Sequence, residues 1–231
     1  MSQLRPEYGE TWVYESIISA LPGVELSRRT AIGIQLVGFE VAVVGLAWYY
    51  GLWNAAIAGT AAVVVAAIGS VEMLRISRLA REANVPEPYR RLLFGSSVEV
   101  VLAVLAFIAL VTHLFVFDPG QALVETLFGP DPPVLVVYLT LLVLWDLCYR
   151  IGTGWWASVV ALWRSIRYRF DPETAASLRR VDAETLGFGL TQLVLVPFVL
   201  EQPVLLAALL GHVVAVVSVA GASLVVLWLR N

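Results

Sequence analysis

The chain has 231 residues, of which 59% are hydrophobic and 14% charged, with a formal net charge of −3. A soluble domain is about half apolar and a quarter charged, so this composition excludes an ordinary water-soluble globule. The acidic balance gives no reason to expect a nucleic-acid partner, and the lone Cys148 excludes an internal disulfide or a cysteine metal cluster.

The excess apolar residues are gathered into runs such as Asn54–Val71, Val100–Val111 and Val204–Leu229. A bilayer core about 30 Å thick needs roughly 20 apolar residues in a helix. Helices satisfy their own backbone hydrogen bonds in lipid, and the short alternating segments of a β-barrel are absent. The expectation is therefore all-α: a polytopic membrane bundle of six transmembrane helices, arranged as three hairpins. No secretory signal is expected, because no small-residue cleavage site follows the first apolar run.

In chain order, residues 1–30 read as a cytoplasmic or interfacial segment, and 31–231 as the six-helix transmembrane domain. Within the first, Glu10–Leu26 places Val13, Ile17, Leu21 and Val24 on one helical face. That face suits an interfacial helix or docking on the end of the bundle. The expected spans are 31–52, 55–75, 92–117, 134–163, 185–202 and 204–229. Pro86-Glu87-Pro88 suits the start of a helix. Asp171-Pro172-Glu173-Thr174 reads as an N-cap, a proline and a first-turn acid, which predicts a short cytoplasmic helix near 172–180. No linker is long enough for a separate soluble domain.

Every basic residue is arginine, and there is no lysine. With the acidic linkers, this usage resembles that of halophilic archaeal proteins. It also removes the amine that a retinal Schiff base needs. Lysine and arginine concentrate in cytoplasmic loops. With the N-terminus inside, the six-span reading puts fourteen of the fifteen Arg inside, while the outer linkers hold Asp118, Glu125, Asp131 and Glu201. A seventh span would strand the Arg164–Arg180 cluster outside. The expected location is the cell membrane, with both termini cytoplasmic.

Small residues recur at spacings of three and four, as Ala55, Gly59, Ala62, Ala66 and Gly69, and again as Gly211, Ala215, Ser218 and Ala222. Such stripes let helix backbones approach closely. Packing inside the bundle is the plain reading, and a homo-oligomer through one stripe is the other. The bilayer itself is the one certain partner.

Ionisable groups inside a membrane are costly and usually face a cavity or a partner. Glu40 lies 11 residues past Arg29, roughly 16 Å along a helix. Glu99, Asp146, Arg150 and His212 also lie at bilayer depth, with Gln35 and Gln192 adding neutral polarity. Asp146, Tyr149, Arg150 and Thr153 share one helical face, so Asp146 and Arg150 can pair within the helix. Glu72 is expected to pair with Arg75, and His113 to be solvated or to cap a helix.

Thr185-Leu186-Gly187-Phe188-Gly189 looks like a potassium-channel filter over five residues. No apolar pore helix precedes it, and the arginines place it on the wrong side. Its glycines, Gly187 and Gly189, are expected to loosen a helix start or to allow close packing. Two histidines and no cysteine cluster argue against a metal site, and no cofactor is expected. Three functions stay open. The first is a small ion channel or ion-coupled transporter with Glu40, Glu99, Asp146, Arg150, His212 and Gln192 around a central polar pathway. The second is a non-catalytic scaffold or partner subunit in which Asp146 and Arg150 are structural. The third is an intramembrane enzyme, which needs two carboxylates or a His–Glu pair on one cavity.

Overall fold

The computed structural model describes Trp12, residues 27–117 and residues 122–230. The first helix, α1 (Arg28–Tyr50), begins where the Ser27 hydroxyl accepts the Thr30 N–H at 3.1 Å. It ends at Gly51, whose φ of 71° is the left-handed conformation that glycine adopts without strain. Helix α2 (Trp53–Glu82) runs back for 30 residues, about 45 Å. Helix α3 (Glu87–Phe94) follows Pro86, and α4 (Val98–Thr112) closes with a π-helical turn, His113–Phe117. A short α5 (Ala122–Phe128) leads to α6 (Val134–Arg167), the longest helix at 34 residues. Helix α7 (Pro172–Thr191) passes through a 3₁₀ turn (Gln192–Leu195) into α8 (Val196–Val199), and α9 (Pro203–Arg230) completes the described chain.

Five stretches are long and apolar enough to cross a membrane: Thr30–Tyr50, Trp53–Glu82, Glu87–Phe117, Val134–Arg167 and Pro203–Arg230. They mark the chain as a multi-pass membrane protein. The surface agrees, because large apolar side chains such as Val41, Leu105, Val214 and Trp228 point outward while Glu99, Arg150 and Arg164 are buried. A soluble protein has the opposite arrangement.

The observed elements differ from the expected ones in four places. The third span is not continuous: it breaks between Phe94 and Val98, where Ser97 adopts a φ of 54° and the Ser96 hydroxyl donates to the Leu92 carbonyl at 2.8 Å. The helix expected near 172–180 does not stop there. It starts as anticipated, with the Asp171 carboxylate accepting from the N–H groups of Thr174 and Glu173, an arrangement that holds this carboxyl below its ordinary pKa. It then continues to Thr191, because no glycine or proline intervenes before Gly187 and Asp182 finds a partner inside the bundle. The expected fifth span, 185–202, is thus the second half of one helical run from Pro172 to Val199. The 3₁₀ turn lies just before Pro197, whose nitrogen carries no hydrogen for the carbonyl four residues back. Finally, α5 lies in the linker between the expected third and fourth spans, where no helix was anticipated. The residues proposed for the N-terminal amphipathic face lie outside those described. Trp12 alone is placed there, fully buried, donating to the Met73 carbonyl at 3.3 Å and packed edge-on against Phe94.

Helix α6 is the hub, packing against α1, α2, α3, α4, α7 and α9. Glycines decide how close it comes. A Cβ at Gly152 would lie 3.1 Å from the Ala103 nitrogen, so α4 and α6 meet backbone to backbone. The Phe188 ring fills a socket made by two glycines: a Cβ at Gly69 would fall 2.7 Å from it, and one at Gly154, 3.1 Å. The filter-like segment is accordingly helical, with Phe188 buried. The α2 stripe serves the bundle itself, Gly69 against Phe188 and Gly59 against Val43.

Candidate functional site

One face of α6 carries Asp146, Arg150, Thr153, Ala157, Val160 and Arg164, alternating four and three residues apart, and all six are buried. That spacing keeps the face turned to the bundle interior for about five turns. It delivers a charged group at each end, and each has found a different environment.

At the upper end, Arg150 Nη2 donates to Asp146 Oδ1 at 2.8 Å, an i,i+4 ion pair with side chains 1% and 5% exposed. Gln35 Nε2 of α1 donates to the same oxygen at 3.2 Å, and Arg150 Nη1 reaches the Met73 sulfur of α2 at 3.5 Å. The pair therefore cross-braces three helices and is neutral as a unit. Guanidinium cannot shed its charge at any working pH, so its burial requires this carboxylate.

At the lower end, Arg164 Nη2 donates to Asp182 Oδ1 of α7 at 2.7 Å. Ser223 of α9 donates to the other carboxylate oxygen at 2.6 Å. Arg164 also reaches the Leu178 carbonyl at 3.3 Å and the Tyr89 hydroxyl of α3 at 3.4 Å, with its guanidinium 5.2 Å from the centre of that ring. Four helices meet on these two charges. They sit in the largest apolar cluster, which includes Trp12, Tyr89, Phe94, Leu178 and Leu227. Nearby, Arg230 donates to the carbonyls of Ser165 and Ile166, which brings the ends of α6 and α9 level. Arg164 and Asp182 both fall between the spans expected at 134–163 and 185–202. The signal was present in the continuation of the Asp146–Thr153 periodicity to Arg164.

The other sequence-derived candidates have neighbours of their own. Glu40 of α1 accepts from the Thr60 hydroxyl of α2 at 2.7 Å. Glu99 is fully buried in the first turn of α4, and neither of its oxygens has a hydrogen-bond partner among the described residues. Gln192 is buried in the 3₁₀ turn. His212 of α9 stands edge-on to Trp155, 6.2 Å between ring centres. Glu72 does not pair with Arg75. It is buried toward Gly154 and Thr185, and Arg75 instead lies 3.4 Å from Glu184. His113 opens the π-helical turn that continues α4, and its Nε2 is buried with no hydrogen-bond partner among the described residues.

A cavity of about 150 Å³ lies between α1, α2, α5 and α6. Its lining is apolar except for Thr140, whose hydroxyl is spent on the Val136 carbonyl at 2.8 Å. None of the polar candidates lines it. Water entering it would find no partners, so it is not a polar passage. What the arrangement provides is charge placed at helix crossings, each group held by a different neighbour.

Residues 7–223 match the model of a family described as a family of unknown function, DUF7530, and the chain belongs to that family. No curated protein and no solved structure matches it.

Proposed function

We propose that this member of a family of unknown function is a non-catalytic membrane scaffold or partner subunit, whose buried charges fix helix register instead of conducting. The observation that carries this reading is the hydrogen-bonded, charge-neutral state of both α6 ion pairs, with the side chains of Asp146, Arg150, Arg164 and Asp182 each at most 5% exposed. A conducting path needs polar groups on a shared wet surface. Here Glu40 bonds Thr60, His212 stands against Trp155, and none of Glu40, Glu99, Gln192 and His212 lines the apolar cavity. The intramembrane-enzyme reading asks for two carboxylates or a His–Glu pair on one cavity, and the same separation counts against it.

The topology that goes with this reading has six crossings. The apolar second half of the run Pro172–Val199, from Thr185 on, supplies the crossing that the five long apolar helices leave out. The arginine distribution favours both termini on the cytoplasmic side. A second copy, or another membrane protein, would pack on the exposed apolar helices.

The channel or ion-coupled transporter stays as the competing reading, because Glu99 is buried without a hydrogen-bond partner among the described residues. Purified protein in liposomes loaded with a pH- or ion-sensitive dye separates the two. The scaffold reading expects flux no greater than in protein-free liposomes. Flux above that level, abolished by Asp146→Asn or Glu99→Gln in variants that remain folded, would overturn it.

A further inference from the structure

A groove of about 520 Å³ runs between α1 and α2 at the arginine-rich end. Its walls are apolar, with Ile32 and Leu36 from α1 and Ala67, Val71 and Leu74 from α2, and its rim carries Arg75 and Arg78. Gly33 leaves it open, since a Cβ built there would meet nothing within 4 Å. Arg75 and Arg78 are one turn apart, both exposed, and both line the groove. Arg75 is 22 residues beyond Trp53, about 33 Å along α2. That distance is the thickness of a hydrocarbon core, so the two guanidiniums stand at headgroup level with the groove leading into the acyl region.

The charges at this rim are not used up inside the protein. The contact from Arg75 to Glu184 is 3.4 Å, longer than the roughly 2.7–2.9 Å of a committed charge-assisted hydrogen bond. Among the described residues, Arg78 takes part in no ion pair. Two adjacent guanidiniums over an apolar slot complement a molecule that is anionic at one end and hydrocarbon at the other. Basic pockets between membrane helices take lipid head groups in this way.

We propose that this groove is a binding site for one anionic membrane lipid, with its phosphate on Arg75 and Arg78 and an acyl chain laid along Leu36, Ala67 and Val71. The test is native mass spectrometry of the detergent-solubilised protein, titrated with phosphatidylglycerol and with phosphatidylcholine. One tight phosphatidylglycerol adduct is expected, and none of comparable affinity for phosphatidylcholine. The R75Q/R78Q variant is expected to weaken it by about thirty-fold, from about 1 kcal/mol per basic residue beside an anionic lipid. Gly33→Leu fills the slot without changing charge and is expected to remove the adduct as well. R179Q/R180Q removes the same charge elsewhere and is expected to leave it intact. Unchanged binding in R75Q/R78Q would overturn the site. Equal loss in R179Q/R180Q would reduce it to net charge, and retention in Gly33→Leu would show that no chain is seated in the groove.

Discussion

Replacing Arg164 with leucine is expected to destabilise the folded protein by about 3–5 kcal/mol, the cost of leaving one member of a buried ion pair without its partner. Asp182 would keep only the Ser223 hydroxyl, and the Leu178 carbonyl and Tyr89 hydroxyl would lose their cationic donor. Because these contacts tie α3, α6, α7 and α9 together, the loss should appear as one cooperative decrease in thermal stability in detergent or nanodiscs. The double variant Arg164→Met with Asp182→Leu removes both charges at similar volume and is expected to recover most of that loss. If the single variant matched the wild type, the four-helix junction would have no energetic weight.

The upper pair predicts an effect of similar size with a different dependence on context. Asp146→Leu takes the carboxylate away from a guanidinium buried beside Met73 and Tyr149, and removes the acceptor of the Gln35 amide. A loss of about 3–5 kcal/mol is again expected. Adding Arg150→Met should restore stability, so a double-mutant cycle should give a coupling of several kcal/mol. The two cycles should be nearly additive with each other, since sites more than about 10 Å apart with no shared partner couple weakly. Arg150 and Arg164 are 14 residues apart on one helix, about 21 Å. Marked non-additivity between the pairs would mean that α6 transmits strain along its length, which is how a moving transporter helix behaves.

How much of this was legible in the sequence follows from what each signal depends on. The long apolar helices were readable because their signal is local: length and hydropathy along one segment. The Asp146–Arg150 pair was readable for the same reason, since i,i+4 geometry is internal to a helix. The Arg164–Asp182 junction was not. Its residues come from elements 18 positions apart, with Ser223 a further 41 along the chain, and arginine near a span end also has the plain meaning of orientation. Here that arginine is buried against an aspartate. The break at Ser97 escaped notice because nothing around it is a strong helix breaker. Glu72 was assigned to its nearest arginine, although its i+3 neighbour on α2 turns outward to Glu184. Sequence proximity ranks partners only when both side chains face the same way.

The small-residue stripe shows the same division. Its spacing identified a face for close approach, but not the partner. That depended on where Phe188 arrives from α7, in a helical segment where Gly189 packs against Val216 while Gly187 has open space beside it.

On the scaffold reading, the charges on α6 form a dry structural core. Hydroxyl-radical footprinting of the protein in liposomes tests it most directly. Met73 touches Arg150, Tyr149 is buried beside it, and Tyr49 is 73% exposed at the far end of α1. Met73 and Tyr149 are expected to stay at background oxidation while Tyr49 is labelled. Oxidation of Met73 at a rate comparable to Tyr49, in folded protein, would place water at the Asp146–Arg150 pair and contradict the account.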